Sequence, residues 1–124
     1  MKITTFNPQI IAKDAEAVIK DFEALGFVRT HEREDVGDFH VKATRMKDPN
    51  GFFLDVSQGA EIPMDALVGI RMNVDDFEEA YAKLKAQGFK NIYGDDVIDT
   101  PSSRSAVMIS PNGYAINLIE HIKD

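Results

Sequence analysis

The side chains able to carry chemistry are few and poorly grouped. Three histidines, His31, His40 and His121, supply the imidazoles of this 124-residue chain. None is spaced with another as a metal-binding pair. His31-Glu32-Arg33-Glu34-Asp35 lacks the second histidine of a His-Glu-x-x-His zinc motif. A lone histidine in a strand more often sits on a surface or in a structural hydrogen bond, so each reads first as structural. Ser102, Ser103 and Ser105 cluster around Arg104, but they fill an expected hairpin turn, the ordinary place for serine. There is no Gly-x-Ser-x-Gly elbow, no Gly-x-x-x-x-Gly-Lys phosphate loop and no Gly-x-Gly-x-x-Gly turn. With no cysteine, a thiolate nucleophile, a thiolate metal site and a disulfide framework are all excluded.

Charge narrows the partners. Fourteen Lys and Arg against twenty-one Asp and Glu leave a net charge of −7. Binding to phosphate backbones needs clustered cations that release counterions, whereas the cations here are scattered and the dense runs are acidic or mixed, as at Asp95-Asp96. No nucleic-acid partner is expected, and the acidic surplus, beyond aiding solubility, mildly favours a neutral or cationic ligand. No stretch approaches the roughly 20 apolar residues of a membrane helix. Met1-Lys2-Ile3-Thr4-Thr5-Phe6 has no apolar run like that of a signal peptide. No membrane partner and a cytoplasmic location are therefore expected. A length of 124 residues and a 44% hydrophobic content suit one globular domain with a substantial core.

The elements that must position any site come in two copies. Asp48-Pro49-Asn50-Gly51 recurs as Ser110-Pro111-Asn112-Gly113, a shift of 62 residues, half the chain. The same shift carries Gly26-Phe27 onto Gly88-Phe89, Asp14 onto Asp76, Glu16 onto Glu78, Phe22 onto Leu84 and Ala24 onto Ala86. One turn motif alone would be weak, but several matches in one register indicate an internal duplication. Module one covers about 1–58 and module two about 67–124, with a polar linker of about 58–66 containing Pro63.

Each module reads as strand, helix, then three strands. The opening strands are about Phe6 to Ala12 and Leu67 to Val74. In the first helix Asp14 is the expected N-cap, Val18, Phe22 and Leu25 form the apolar stripe, and Gly26 is the stop. In the second, Asp75 and Glu78 have capping-box spacing, Phe77, Ala80, Tyr81 and Leu84 form the stripe, and Gly88 is the stop. The remaining strands are about Val28 to Glu34, Phe39 to Met46 and Phe52 to Ser57, then Asp96 to Asp99, Ser105 to Ile109 and Tyr114 to Glu120. The unit is βαβββ, twice. Two helices cannot cover both faces of eight strands, so the expected fold is α+β, a curved mixed sheet around a shared cleft.

Paired βαβββ modules, each closing with a Pro-Asn-Gly turn and a last strand, resemble the glyoxalase/bleomycin-resistance/dioxygenase group, the vicinal oxygen chelate superfamily. The likeness spans essentially the whole chain. It implies a homodimer and a ligand in the cleft or at the subunit interface. Metal-dependent members hold a divalent ion with one side chain from the first strand and one from the last strand of each module. That register falls here on Asn7, Asp55, Gly69 and Asn117. One carboxylate, two amides and a position without a side chain are a poor set for zinc, nickel or iron, and thin for calcium or magnesium. The expectation is therefore no metal and no other cofactor.

From those positions, alternation sends Asn7, Gln9 and Ile11; Phe53, Asp55 and Ser57; Gly69, Arg71 and Asn73; and Ala115, Asn117 and Ile119 to the cleft face. The opposite face is apolar: Ile10 and Ala12; Phe52, Leu54 and Val56; Ile70, Met72 and Val74; Tyr114, Ile116 and Leu118. The ligand-binding candidates are Asn7, Gln9, Phe53, Asp55, Arg71 and Asn117. Arg71 suits a carboxylate or phosphate, Asp55 a cation, a hydroxyl or a base role, and Phe53 a ring. Arg71 and Asp55 could equally pair with each other. His121 shares the parity of Asn117, and His40 could face either way. The implied function is metal-independent binding of a small molecule. The alternative is a metal-dependent lyase, isomerase or dioxygenase that borrows Glu120, His121 or a partner's residue.

Overall fold

The computed structural model describes residues 1–36, 41–59 and 62–122. In chain order the first elements are β1 (Ile3–Ala12), α1 (Ala15–Ala24), β2 (Val28–Val36), β3 (Val41–Lys47) and β4 (Phe53–Gln58). They are followed by β5 (Ala66–Val74), α2 (Phe77–Ala86), β6 (Lys90–Asn91), β7 (Ile98–Thr100), β8 (Ser103–Ile109) and β9 (Ala115–His121). The fold is α+β, with βαβββ order clear in the first half. Two compact units result: Asn7–Val68, and Gly69–Asp124 together with Met1–Phe6.

In the unit Asn7–Val68 the strands run β2-β3-β4-β1. The first three are antiparallel, and β1 lies parallel to β4 with Gln9 beside Asp55. That parallel pairing requires a crossover, which α1 and the β2–β3 excursion supply. Asp14 caps α1 as expected, accepting from the Ala17 amide at 3.2 Å. The helix buries Ala15 and Ile19 against Met46, Leu54 and Val56, with Ile10, Val18, Phe22 and Phe27 around them. The expected stripe is corrected at its end. Ile19 is the fully buried residue, while Leu25, the C-cap, is 72% exposed. The chain leaves the helix there, turning through Gly26 at φ 103°. Phe52 also departs from its expected helix-side place and is 69% exposed, because β4 begins only at Phe53.

In the second unit β5 is parallel to β9, and β8 is antiparallel to β9. The strand expected over Asp96 to Asp99 is found two residues later, as β7, and a further short strand, β6, precedes it, both paired to β8. Asn91 explains the break. Its buried amide donates to the Asp96 carbonyl at 2.9 Å and accepts from the Tyr93 amide at 2.9 Å, pinning a turn through Gly94 at φ 75°. The N-cap of α2 is Asp76, not Asp75. Asp76 accepts from the Glu79 amide, whereas the Asp75 carboxylate accepts from the Lys2 amide at 2.6 Å. Phe77, Ala80 and Leu84 pack as expected, with Met72, Val74, Ala106, Met108, Ile116 and Leu118 completing this core. Tyr114 remains half exposed, its ring set edge-on to Phe89.

Candidate functional site

Asn7, Gln9, Asp55 and Ser57 are buried on the face of their sheet opposite α1. Burying polar groups is costly unless they are hydrogen-bonded, and these are. The parallel register brings β1 beside β4, so the Asn7 amide donates to Asp55 Oδ2 at 2.7 Å and the Gln9 amide to Ser57 Oγ at 3.1 Å. The second Asn7 amide hydrogen is used locally, on the Pro8 carbonyl at 2.8 Å. Phe53, at 36% exposure, lies on the same face two residues before Asp55.

The sequence reading missed Arg45. It stands directly opposite Asp55 in the β3–β4 ladder, and Lys47 stands opposite Phe53. Directly opposed residues share a face. The Arg45 guanidinium lies 4.0 Å from the Phe53 ring centre and reaches the Asn7 side-chain oxygen at 3.5 Å. His31 lies opposite Arg45 on β2 and is exposed. Period-two alternation along β3 was the available signal, since Ala43, Arg45 and Lys47 oppose Ser57, Asp55 and Phe53.

In the other unit Arg71 sits opposite Asn117 in the β5–β9 ladder. Arg71 Nε donates to the buried Asn73 side-chain oxygen at 3.1 Å, and Nη2 approaches His121 Nε2 at 3.4 Å. Arginine only donates, so this contact is a hydrogen bond when the His121 ring is neutral with its proton on Nδ1. The parity of His121 with Asn117 thus brings it to Arg71. Glu120 does not share that face. Its carboxylate accepts from the Phe77 amide at 2.6 Å, at the start of α2, so it is withdrawn as a borrowed metal ligand. Arg104 is likewise engaged away from the candidates, ion-paired with Glu78 and Asp99 and set over the Phe77 ring. The turn before it is held by a 2.9 Å contact between the Thr100 and Ser103 hydroxyls. His40 lies outside the described residues.

The residues at the four ligand positions fit a divalent ion poorly. The first unit offers one carboxylate, already bonded to a neutral amide. The second offers the amide of Asn117 and, at Gly69, nothing. A side chain at Gly69 would collide with the paired strand, since a Cβ built there lies 2.5 Å from the Ala115 carbonyl oxygen. Among the described residues, no three His, Cys, Asp or Glu side chains are grouped to hold a metal. One carboxylate, two amides and a glycine are a weak donor set for a divalent transition metal.

No family model matches the chain, and no curated protein sequence matches it. Solved structures do. Methylmalonyl-CoA epimerase from Mycobacterium tuberculosis superposes with a TM-score of 0.64 at 16% identity, over 98% of this chain and 90% of that one. A glyoxalase/bleomycin resistance protein/dioxygenase superfamily member from Vibrio splendidus 12B01 gives 0.60 at 16% identity, over 96% and 99%. A glyoxalase I mutant from Zea mays gives 0.64 at 18% identity, over 98% of this chain but 44% of that one. At these identities the likeness shows the fold, which is the glyoxalase/bleomycin resistance/dioxygenase fold, as the duplicated βαβββ pattern implied.

Proposed function

We propose that the protein binds a small organic molecule against its polar sheet faces, without a divalent metal. The candidate contacts are Asn7, Gln9, Phe53 and Asp55, with Arg71 and Asn117 as further candidates on the polar face of their own sheet. The protein acts as a homodimer in the cytoplasm. The observation that carries the reading is the 2.7 Å bond from the Asn7 amide to Asp55. It puts a neutral donor on the one carboxylate of the ligand set. A ligand hydroxyl or cation can take the place of that donor, while a metal would lack the remaining ligands. The competing reading, a metal-dependent isomerase or related enzyme, is favoured by the structural neighbours named as an epimerase and a glyoxalase I.

Metal content of untagged protein purified without chelator, followed by melting scans with nickel, zinc, manganese and iron(II), separates the two. The expected result is substoichiometric metal and unchanged melting. A metabolite and drug panel should then contain a compound that raises the melting temperature. A ligand at about 100 times its Kd adds about 2.7 kcal/mol. For a domain of this size that is roughly 10 °C. Asp55→Asn or Arg71→Ala should remove most of that rise. Stoichiometric metal, or retention of all binding by both variants, refutes the reading.

A further inference from the structure

Two cations on the polar face of the first sheet differ from those that this acidic protein holds in ion pairs. Arg29 is ion-paired with Glu16, Glu23 and Glu32, Arg104 with Glu78 and Asp99, and Lys42 with Glu16. Arg45 and Lys47, by contrast, form no ion pair with any described carboxylate, although Arg45 faces Asp55 across the β-ladder. Both are set over one ring instead, with the Arg45 guanidinium carbon 4.0 Å and the Lys47 Nζ 5.5 Å from the Phe53 centre. The ring face attracts each cation but neutralises neither. Arg45 is half-buried, and its Nε is fully buried with no hydrogen-bond partner among the described residues. Its sole described side-chain hydrogen bond is the long 3.5 Å one to Asn7. A half-buried guanidinium whose buried Nε has no partner among the described residues is an expensive arrangement for a protein that has acids to spare.

We propose that Arg45 and Lys47, seated on Phe53, form the receptor for the anionic group of the bound molecule, a carboxylate or a phosphate on a small organic acid. This rests on the reading that the polar face of this unit receives a small molecule, and it names that molecule's charged end. Arg45 offers the planar fork suited to two oxygens of one anion. Lys47, more exposed, adds a point charge, and Phe53 holds the Arg45 guanidinium so that little of that side chain's freedom remains to be lost on binding. The anion also relieves the repulsion between two like charges on one ring. The overall charge of −7 favours neutral or cationic ligands from afar, so this local positive pair selects against the general field. Asn7 and Asp55, adjacent on the same face, take the ligand's hydroxyl or amine.

The test is titration of the isotope-labelled full chain, followed by amide NMR shifts, with benzoate, phenyl phosphate, inorganic phosphate and neutral benzamide. Benzoate or phenyl phosphate should move the Arg45, Lys47 and Phe53 amides saturably, and the tighter of the two names the anion. Benzamide should bind at least ten-fold more weakly than benzoate. Arg45→Met keeps the stem packed on Phe53 while removing the charge, and should weaken anion binding about ten-fold. Lys47→Met should weaken it about three-fold, and added salt should weaken it further. Equal binding of benzamide and benzoate, or unchanged affinity in both variants, overturns the proposal. So does binding of neutral or cationic compounds that depends on Asp55 while the anions cause no shift, in which case small-molecule binding itself stands. If no compound of any charge binds, both readings fall.

Discussion

Gly69→Ala is the substitution whose outcome the geometry defines most sharply. The new Cβ would sit 2.5 Å from the Ala115 carbonyl oxygen and 2.9 Å from the Ala115 Cβ. Both atoms belong to the strand paired with β5, so neither can swing aside as a flexible side chain would. The strands must separate by about half an ångström to restore even a tight contact. Overpacking of this kind costs about 1–3 kcal/mol. Restricting the unfolded chain returns about 0.4–1 kcal/mol. A net destabilisation of about 1.5 kcal/mol is expected. With a urea m-value of about 2 kcal/mol/M, the midpoint should fall by roughly 0.7 M without a change in slope. Equilibrium urea unfolding followed by circular dichroism reads this directly. Gly69→His, which places an imidazole at this position, should be at least as destabilised and should gain no nickel or zinc affinity. A Gly69→Ala midpoint equal to wild type would show that β5 and β9 have slack. The claim that this position is sterically closed to a ligand would then fail.

Asp76→Ala should lower stability by about 1 kcal/mol through loss of the α2 cap, as should Asp14→Ala for α1. Asp75→Ala should leave the cap intact and loosen the Lys2 backbone, read as faster amide exchange there. Glu16 is held below the ordinary carboxylate value of 4.5, chiefly by its hydrogen bonds to Arg29 and then to Lys42. Because its folded-state value is depressed, its stabilising contribution is complete above 4.5 and is lost as pH falls through the lower folded value. The stability gap between wild type and Arg29→Met should therefore be flat near neutrality and close in acid. A gap that widens in acid would contradict the assignment, and urea midpoints measured from about pH 3 to 7 decide it.

The 62-residue repeat made the fold legible because the duplication repeats turns and helix stops whose chemistry is local. Gly26 and Gly88, both at positive φ, are such marks. What depends on distant residues was not legible. Asp75 with Glu78 and Asp76 with Glu79 satisfy the same capping spacing, and the choice between them involves Lys2, which occupies Asp75 from across the chain. The split of β6 from β7 follows from one buried side chain, Asn91, whose partners no periodicity reveals. Asn7 and Asp55 were readable because alternation on β1 and β4 is clean. Arg45 was not found because the family ligand positions direct attention to four strands and pass over β3. Its value comes from what faces it across the ladder, which requires a register that sequence does not print.

The strand β1 belongs to both units, with Met1–Phe6 grouped with Gly69–Asp124 and Asn7 onward with the residues up to Val68. During synthesis this imposes an order. The unit Asn7–Val68 has all its strands once Val68 has left the ribosome. The other joins residues on both sides of that unit, and its Lys2–Asp75 backbone bond of 3.1 Å must wait until Asp75 has been made. Met1–Phe6 therefore emerge before their partners exist, and removing them is a lesion to the unit Gly69–Asp124 and not to the unit Asn7–Val68 that directly follows them in the chain.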